Sequence, residues 1–190
     1  AVAAVVLAAT SPLLAIALVA IALESRGHPI YRQRRVGLHG REFDVLKLRT
    51  MVDGAESLGA GLAVDAGDAR ITRVGALLRR TSIDELPNLV NVLRGEMAIV
   101  GPRPTLPVQV ALYSERELGR LAVRPGITGW AQVNGRATLP WTQRIELDLW
   151  YIEHRCWRLD LTILLRSARM VLVGDGLYKG DTGGWRTPPS

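Results

Sequence analysis

The stretch from Ala1 to Leu23 carries no charge, and the chain changes character at Glu24. As one helix the run would be about 35 Å long, enough to cross the hydrocarbon core of a bilayer. Ser11-Pro12 interrupts its middle. A proline there deletes a backbone hydrogen bond and bends the helix, and a neighbouring serine hydroxyl can satisfy the freed carbonyl. Three arrangements fit: a kinked spanning helix, which the pattern alone favours, a bent hairpin that enters and leaves on one face, and a buried helix of a soluble domain. No basic stretch precedes the run and no small-residue site ends it, so it does not read as a cleaved signal peptide.

Beyond the run the periodicity shortens. Pro29-Ile30-Tyr31 with Val36 suggests a strand, Gly37-Leu38-His39-Gly40 a turn, and Phe43 to Leu48 an alternating second strand. Arg32, Arg34 and Arg35 lie close together here, either facing lipid phosphates or forming a solvated basic face. His28 and His39 read as surface residues. Asp53 to Ala69 has no period and predicts a loop or short irregular helices. Helical spacing returns over Arg70 to Arg80 and Leu86 to Leu93, which Gly95 is placed to cap. Met97 to Val100 is a short apolar strand. Pro102 and Pro104 make Arg103 a rigidly mounted side chain, or an ordinary turn. Pro107 to Arg120 predicts a surface helix, and Trp141 to Arg155 is helical and carries Glu146, Asp148, Glu153 and His154. Leu159 to Val173 is an amphipathic helix edged by arginines, either interfacial or core-packed. The segment after Gly174 is rich in glycine and proline.

Composition narrows the class. A chain of 190 residues with 48% hydrophobic content suits one domain with a real core. The net charge is +6 and the pI about 10.2. Nearly all of the positive charge is arginine, the two lysines being Lys47 and Lys179. Such a balance suits nucleic acid, anionic lipid or a phosphorylated small molecule without choosing among them. The single Cys156 excludes an internal disulfide and a cysteine-based metal site, and reads as a semi-buried helix residue.

The candidate chemistry is at Thr81-Ser82-Ile83-Asp84-Glu85-Leu86-Pro87-Asn88. Two adjacent carboxylates follow Arg79-Arg80 and precede a helix, whose N-terminus favours ionised carboxylates and attracts phosphate. Asp84 could attack phosphorus, Glu85 could hold Mg²⁺, and the arginines could neutralise phosphate oxygens. The plain alternative is that Ser82-x-x-Glu85 is a capping box. Pro87 weighs against it, since a helix begun at Ser82 would carry proline inside it, whereas one begun nearer Asp84 has it in the first turn.

Several stretches together resemble the bacterial sugar transferases, the monotopic polyprenyl-phosphate phosphoglycosyl transferases. They are Pro29 to Gly37, Lys47-Leu48-Arg49-Thr50-Met51, Ser82 to Asn88, Asn91 to Met97, Val100-Gly101-Pro102-Arg103-Pro104, Arg124 to Arg136, Leu147 to Tyr151 and Leu159-Asp160-Leu161. The resemblance implies a mixed α/β catalytic domain over residues 26–178 and a re-entrant membrane helix over 1–25 broken at Ser11 and Pro12; the residue pattern adds interfacial amphipathic helices and a loosely ordered tail over 179–190. It implies transfer of a phosphosugar from a nucleotide diphosphate sugar, usually a UDP-sugar, to polyprenyl (undecaprenyl) phosphate at the cytosolic face of the bacterial inner membrane. This would be the first membrane step of glycoconjugate synthesis.

By the same resemblance Asp84 is the nucleophile and Glu85 a Mg²⁺ ligand. Arg79, Arg103 and Arg136 lie near phosphate, and Gln132 and Asn134 belong to the substrate face. Membrane lipids are the expected partners, with no nucleic acid, and the oligomeric state is open. The rival readings are a membrane phosphohydrolase and a basic membrane-anchored binding protein.

Overall fold

The computed structural model describes residues 2–58, 67–135 and 139–173. Helix α1 (Val2–Glu24) runs unbroken through Pro12, so the break expected at Ser11 and Pro12 is not present. The hydroxyl of Ser11 donates to the Ala8 carbonyl at 2.8 Å, the group that the missing N–H of Pro12 would leave open, and Thr10 donates to Val6 at 2.7 Å. Only 11% of the most apolar stretch of α1 is buried, so it is not the core helix of a soluble domain. Its C-terminal half is the docked part. Leu14, Ala17, Leu18 and Ile21 pack with Ile30, Leu48, Val74, Leu78 and Ile83, while Val2, Val5, Ile16 and Val19 are exposed.

The charged residue that ends the apolar run also fastens it. The Glu24 carboxylate accepts the backbone N–H groups of Arg73 (2.8 Å) and Val74 (3.0 Å) at the start of α2 (Arg73–Thr81). Buried Arg49 donates to the carbonyls of Arg26 and, at 2.8 Å, of Ser25 just beyond α1. Thr72 caps α2 through the Gly75 N–H at 2.9 Å. At Gly75 this helix meets the Thr50 backbone, where any Cβ would overlap the carbonyl. Gly75→Ala is expected to cost about 3 kcal/mol by overpacking, read as a lowered denaturant midpoint of the detergent-solubilised protein.

Strands β1 (Ile30–Val36) and β2 (Glu42–Leu48) form the expected antiparallel hairpin, with Arg35 opposite Phe43 and Tyr31 opposite Lys47. Its turn at Leu38–Gly40 uses left-handed backbone at His39 and Gly40. Phe43 and Val45 face Met97, Val92 and Ile127. The three arginines of β1 do not act as one group. Arg32 and Arg34 are exposed, with Arg34 3.4 Å from Asp44, while Arg35 turns inward because strand side chains alternate. Buried Asn91 of α3 (Asn88–Leu93) serves the outer edge of β2. It accepts from the Leu46 N–H at 3.2 Å and donates to the Asp44 carbonyl at 2.8 Å.

Two short strands, β3 (Ala98–Val100) and β4 (Gly126–Thr128), pair in parallel. The surface helix expected over Pro107 to Arg120 is interrupted. It becomes α4 (Pro107–Val110), α5 (Glu115–Leu118) and a 3₁₀ turn at Gly119–Ala122. The break is a capping box: Ser114 accepts from the Glu117 N–H, and Glu117 reaches back to the Ser114 N–H at 2.8 Å. Then come α6 (Trp130–Val133), α7 (Trp141–His154) and α8 (Trp157–Val173). Helix α8 buries Ile163 and exposes Trp157, Leu161, Leu165 and Leu172. Cys156, expected to be semi-buried, is exposed between α7 and α8. The expected tail lies outside the described residues.

Candidate active site

Helix α2 ends because Ser82 takes a left-handed conformation, φ 55°, which costs a non-glycine residue about 1 kcal/mol. Its hydroxyl caps nothing, so the Ser82-x-x-Glu85 box does not form. The chain makes one 3₁₀ turn, Ile83–Glu85, before α3 starts at Asn88. Pro87 precedes that helix, where its missing N–H costs nothing. Both carboxylates are thereby released from backbone capping.

They are put to different uses. Glu85 Oε1 accepts from Lys47 Nζ at 2.7 Å and from Arg103 Nη2 at 3.0 Å. Burial opposes ionisation of Glu85, but the charges of Lys47 and Arg103 outweigh it and hold the carboxyl well below the usual range. Asp84 has no hydrogen bond or ion pair among the described residues. Burial first, and the charge of Glu85 second, push its carboxyl up to about 6 against the pull of Lys47, Arg79 and Arg103. The expectation that a helix N-terminus keeps Asp84 ionised is therefore not met: α3 begins beyond the 3₁₀ turn, and cationic side chains supply the positive field instead.

The cations come from separate elements. Lys47 projects from β2 on the face shared by Phe43 and Val45. Burial draws its ammonium below the ordinary value, and Glu85 resists. Arg79 lies in the last turn of α2 and donates to Thr50 Oγ1 at 2.7 Å. Arg103 is held between its two prolines, and its carbonyl accepts from Arg120 Nη2 at 3.1 Å. Arg120 is itself buried, with Asp148 Oδ2 at 2.6 Å and the Tyr113 hydroxyl at 2.6 Å. Burial raises Asp148, and Arg120 opposes this. A chain of contacts thus runs from Asp148 of α7 through Arg120 and Arg103 to Glu85.

Of the residues expected at the site, Asp84, Glu85, Arg79 and Arg103 come together. Gln132 and Asn134 make local bonds, Gln132 to the Ile127 carbonyl and Asn134 to Trp130, with Arg166 donating to Asn134 Oδ1 at 3.1 Å. Arg136 lies outside the described residues. Ser11 and Pro12 belong to α1. Sequence reasoning missed Lys47, although the alternation Phe43-x-Val45-x-Lys47 puts it on the inward face. It also missed the Arg120–Asp148 pair. The signal for Asp148 was its place with Ile145 and Leu149 on one face of α7, a charge among apolar neighbours.

The donor set suits Mg²⁺ in the limited way phosphate chemistry uses it. No group of three His, Cys, Asp or Glu side chains that could cage a metal occurs among the described residues. Mg²⁺ commonly binds one or two carboxylates and completes its shell with water and substrate phosphates. The second oxygen of Glu85 offers a hard oxygen ligand of that kind, both lysine and arginine contacts being on Oε1.

The family described as bacterial sugar transferase matches residues 1–174. A Caulobacter vibrioides protein named UDP-glucose:undecaprenyl-phosphate glucose-1-phosphate transferase is 46% identical over 93% of this chain and 68% of its own length. The sugar transferase EpsL of Bacillus subtilis is 47% identical over 80% of this chain and 75% of its own. An Aeromonas hydrophila protein named UDP-N-acetylgalactosamine-undecaprenyl-phosphate N-acetylgalactosaminephosphotransferase is 42% identical over 87% of this chain and 40% of its own.

Proposed function

The chain belongs to the bacterial sugar transferase family, and from that premise we propose that it moves a phosphosugar from a UDP-sugar to undecaprenyl phosphate through a covalent intermediate on Asp84. The observation that carries this reading is the division of labour in the dyad. Glu85 Oε1 is taken by Lys47 and Arg103, while Asp84 beside them has no hydrogen bond or ion pair among the described residues. A carboxylate kept for structure would be paired. One kept as a nucleophile needs a free lone pair next to cations that offset the charge of the phosphate it attacks.

In the first step an Asp84 oxygen attacks the phosphorus that bears the sugar. The bond to the bridging oxygen breaks, and UMP leaves with the electron pair. In the second, an oxygen of undecaprenyl phosphate attacks the same phosphorus and the Asp84 carboxylate departs, giving undecaprenyl diphosphosugar. Arg79, Arg103 and Lys47 supply fixed positive charge in both steps. Mg²⁺ held by Glu85 and phosphate oxygens would add charge neutralisation. The named sugars of the relatives differ, glucose in one and N-acetylgalactosamine in another, so the proposal extends to the class of UDP-sugars and no further.

The two-step order is tested without acceptor. Enzyme, Mg²⁺ and UDP-sugar are expected to exchange labelled UMP into the donor. Absence of exchange in enzyme that forms lipid product once undecaprenyl phosphate is added would replace the covalent route with direct transfer. Release of free sugar phosphate in place of a diphosphosugar lipid would make the protein a phosphohydrolase.

The proposed seat is a re-entrant α1 with the catalytic domain on the cytosolic face of the inner membrane. Its support is Pro12 within an uncharged helix and the Ser11 hydroxyl on the Ala8 carbonyl, which lets the backbone bend there without an open acceptor. Single cysteines replacing Val2 and Arg26, in a Cys156→Ser background, are expected to react with an impermeant reagent from the same side. Labelling from opposite sides would establish a spanning helix.

A further inference from the structure

Arg35 is part-buried on the inward face of β1, and its guanidinium binds neutral groups alone. Its Nε and Nη2 donate to Gln33 Oε1 at 3.1 and 2.5 Å, and its Nη1 donates to the Pro104 carbonyl at 3.1 Å. No carboxylate pairs with it among the described residues. The carboxylates around it are engaged elsewhere: Glu56 accepts from the Tyr31 hydroxyl, and Glu85 is shared by Lys47 and Arg103. Burial, with the like charge of Arg103 second, brings Arg35 down to about 10. A cation withdrawn from water beside another cation calls for an anion.

Lys47, Arg79, Arg103 and Arg35 outnumber the carboxylates of Asp84, Glu85 and Glu56 around them. A diphosphate esterified at both ends carries a single negative charge on each phosphate, an anion of the kind this excess favours. Arg103 reaches Glu85, next to Asp84, whereas Arg35 touches neither carboxylate. Of the two, Arg103 is thus the nearer to Asp84 and to the phosphorus it would attack, which leaves Arg35 for the other phosphate of the donor. With its Nε–Nη2 side on Gln33, the guanidinium keeps one further hydrogen each on Nη1 and Nη2 to offer phosphate oxygens.

We propose that Arg35 positions the donor by binding the phosphate that leaves with the nucleoside. This rests on the transferase reading above and adds a residue and a subsite to it. The test is equilibrium binding of UMP and of uridine to the full chain in detergent with Mg²⁺, for the wild type, Arg35→Gln and Arg35→Lys.

The wild type is expected to bind UMP more tightly than uridine. Arg35→Gln is expected to weaken UMP about tenfold or more, the size of a lost charge-assisted contact, and to leave uridine unchanged. Arg35→Lys falls between, since it keeps the charge and loses the fork. UMP unaffected by either substitution, UMP and uridine weakened alike, or no preference for UMP in the wild type would each overturn the subsite. A purely structural role through Pro104 would displace Arg103 and slow turnover without touching the UMP-to-uridine ratio. Should Arg35→Gln not fold, Arg35→Lys carries the same ratio. Failure of the transferase reading is seen separately, as absence of lipid-linked product from the wild type.

Discussion

Asp84→Asn is expected to abolish transfer and UMP exchange together, by about 10³-fold or more, while the protein remains folded. The amide nearly preserves shape and lacks the charge that attacks phosphorus. Because Asp84 has no hydrogen bond or ion pair among the described residues, its replacement breaks no bond, and unfolding should occur at or above the wild-type midpoint. A buried carboxylate next to Glu85 is electrostatically uncomfortable, as its upward shift to about 6 records, and removing it relieves that repulsion. Thermal melting and exchange on the same preparation make the measurement. Near-normal exchange by Asp84→Asn would end the covalent mechanism. Parallel loss of melting temperature and activity would show that Asp84 serves the fold.

The second large effect is expected far from the dyad in sequence. Asp148→Ala removes the partner of Arg120 and leaves a guanidinium buried without counter-charge, which costs about 3–5 kcal/mol. Activity falls further than stability alone explains, because Arg120 also holds the Arg103 carbonyl at 3.1 Å. A paired replacement, Asp148→Leu with Arg120→Met, separates the two contributions. Removing both charges restores most of the stability, since no unpaired ion is left, yet it takes away the donor that fixes Arg103. The double variant is therefore expected to melt near the wild type and still turn over slowly. Wild-type turnover in a stable double variant would confine the pair to packing.

Much of the local structure was legible in the chain itself. The uncharged run with Ser11-Pro12 predicted both the helix and the hydroxyl that covers the freed carbonyl, because proline and serine act on backbone groups within one turn. Alternation from Phe43 to Leu48 predicted β2, and would have put Lys47 inward had the period been followed to its end. The resemblance of the motifs identified the family and the Asp84-Glu85 dyad, since family motifs are local in sequence. The interrupted helix at Ser114 was also locally encoded, in a capping box that the wider apolar pattern masked.

What the dyad does with its two carboxylates was decided only by tertiary structure. Sequence and resemblance gave Asp84 the attack and Glu85 the metal, but offered no physical ground for dividing them that way. The difference arises because Lys47 from β2 and Arg103 from the loop after β3 converge on one oxygen of Glu85 and bypass Asp84. The same holds for the rejected capping box, which depends on the left-handed turn at Ser82, and for Arg35, whose face of β1 is the one that the rest of the fold covers. Asp148 of α7 and Arg120 of the 3₁₀ turn are 28 residues apart in the chain, and the energy of their contact is absent from either element alone. Sequence fixes which side chains can carry charge and how each short element turns. Burial and the convergence of separate elements determine which charges pair, and hence which carboxylate stays free.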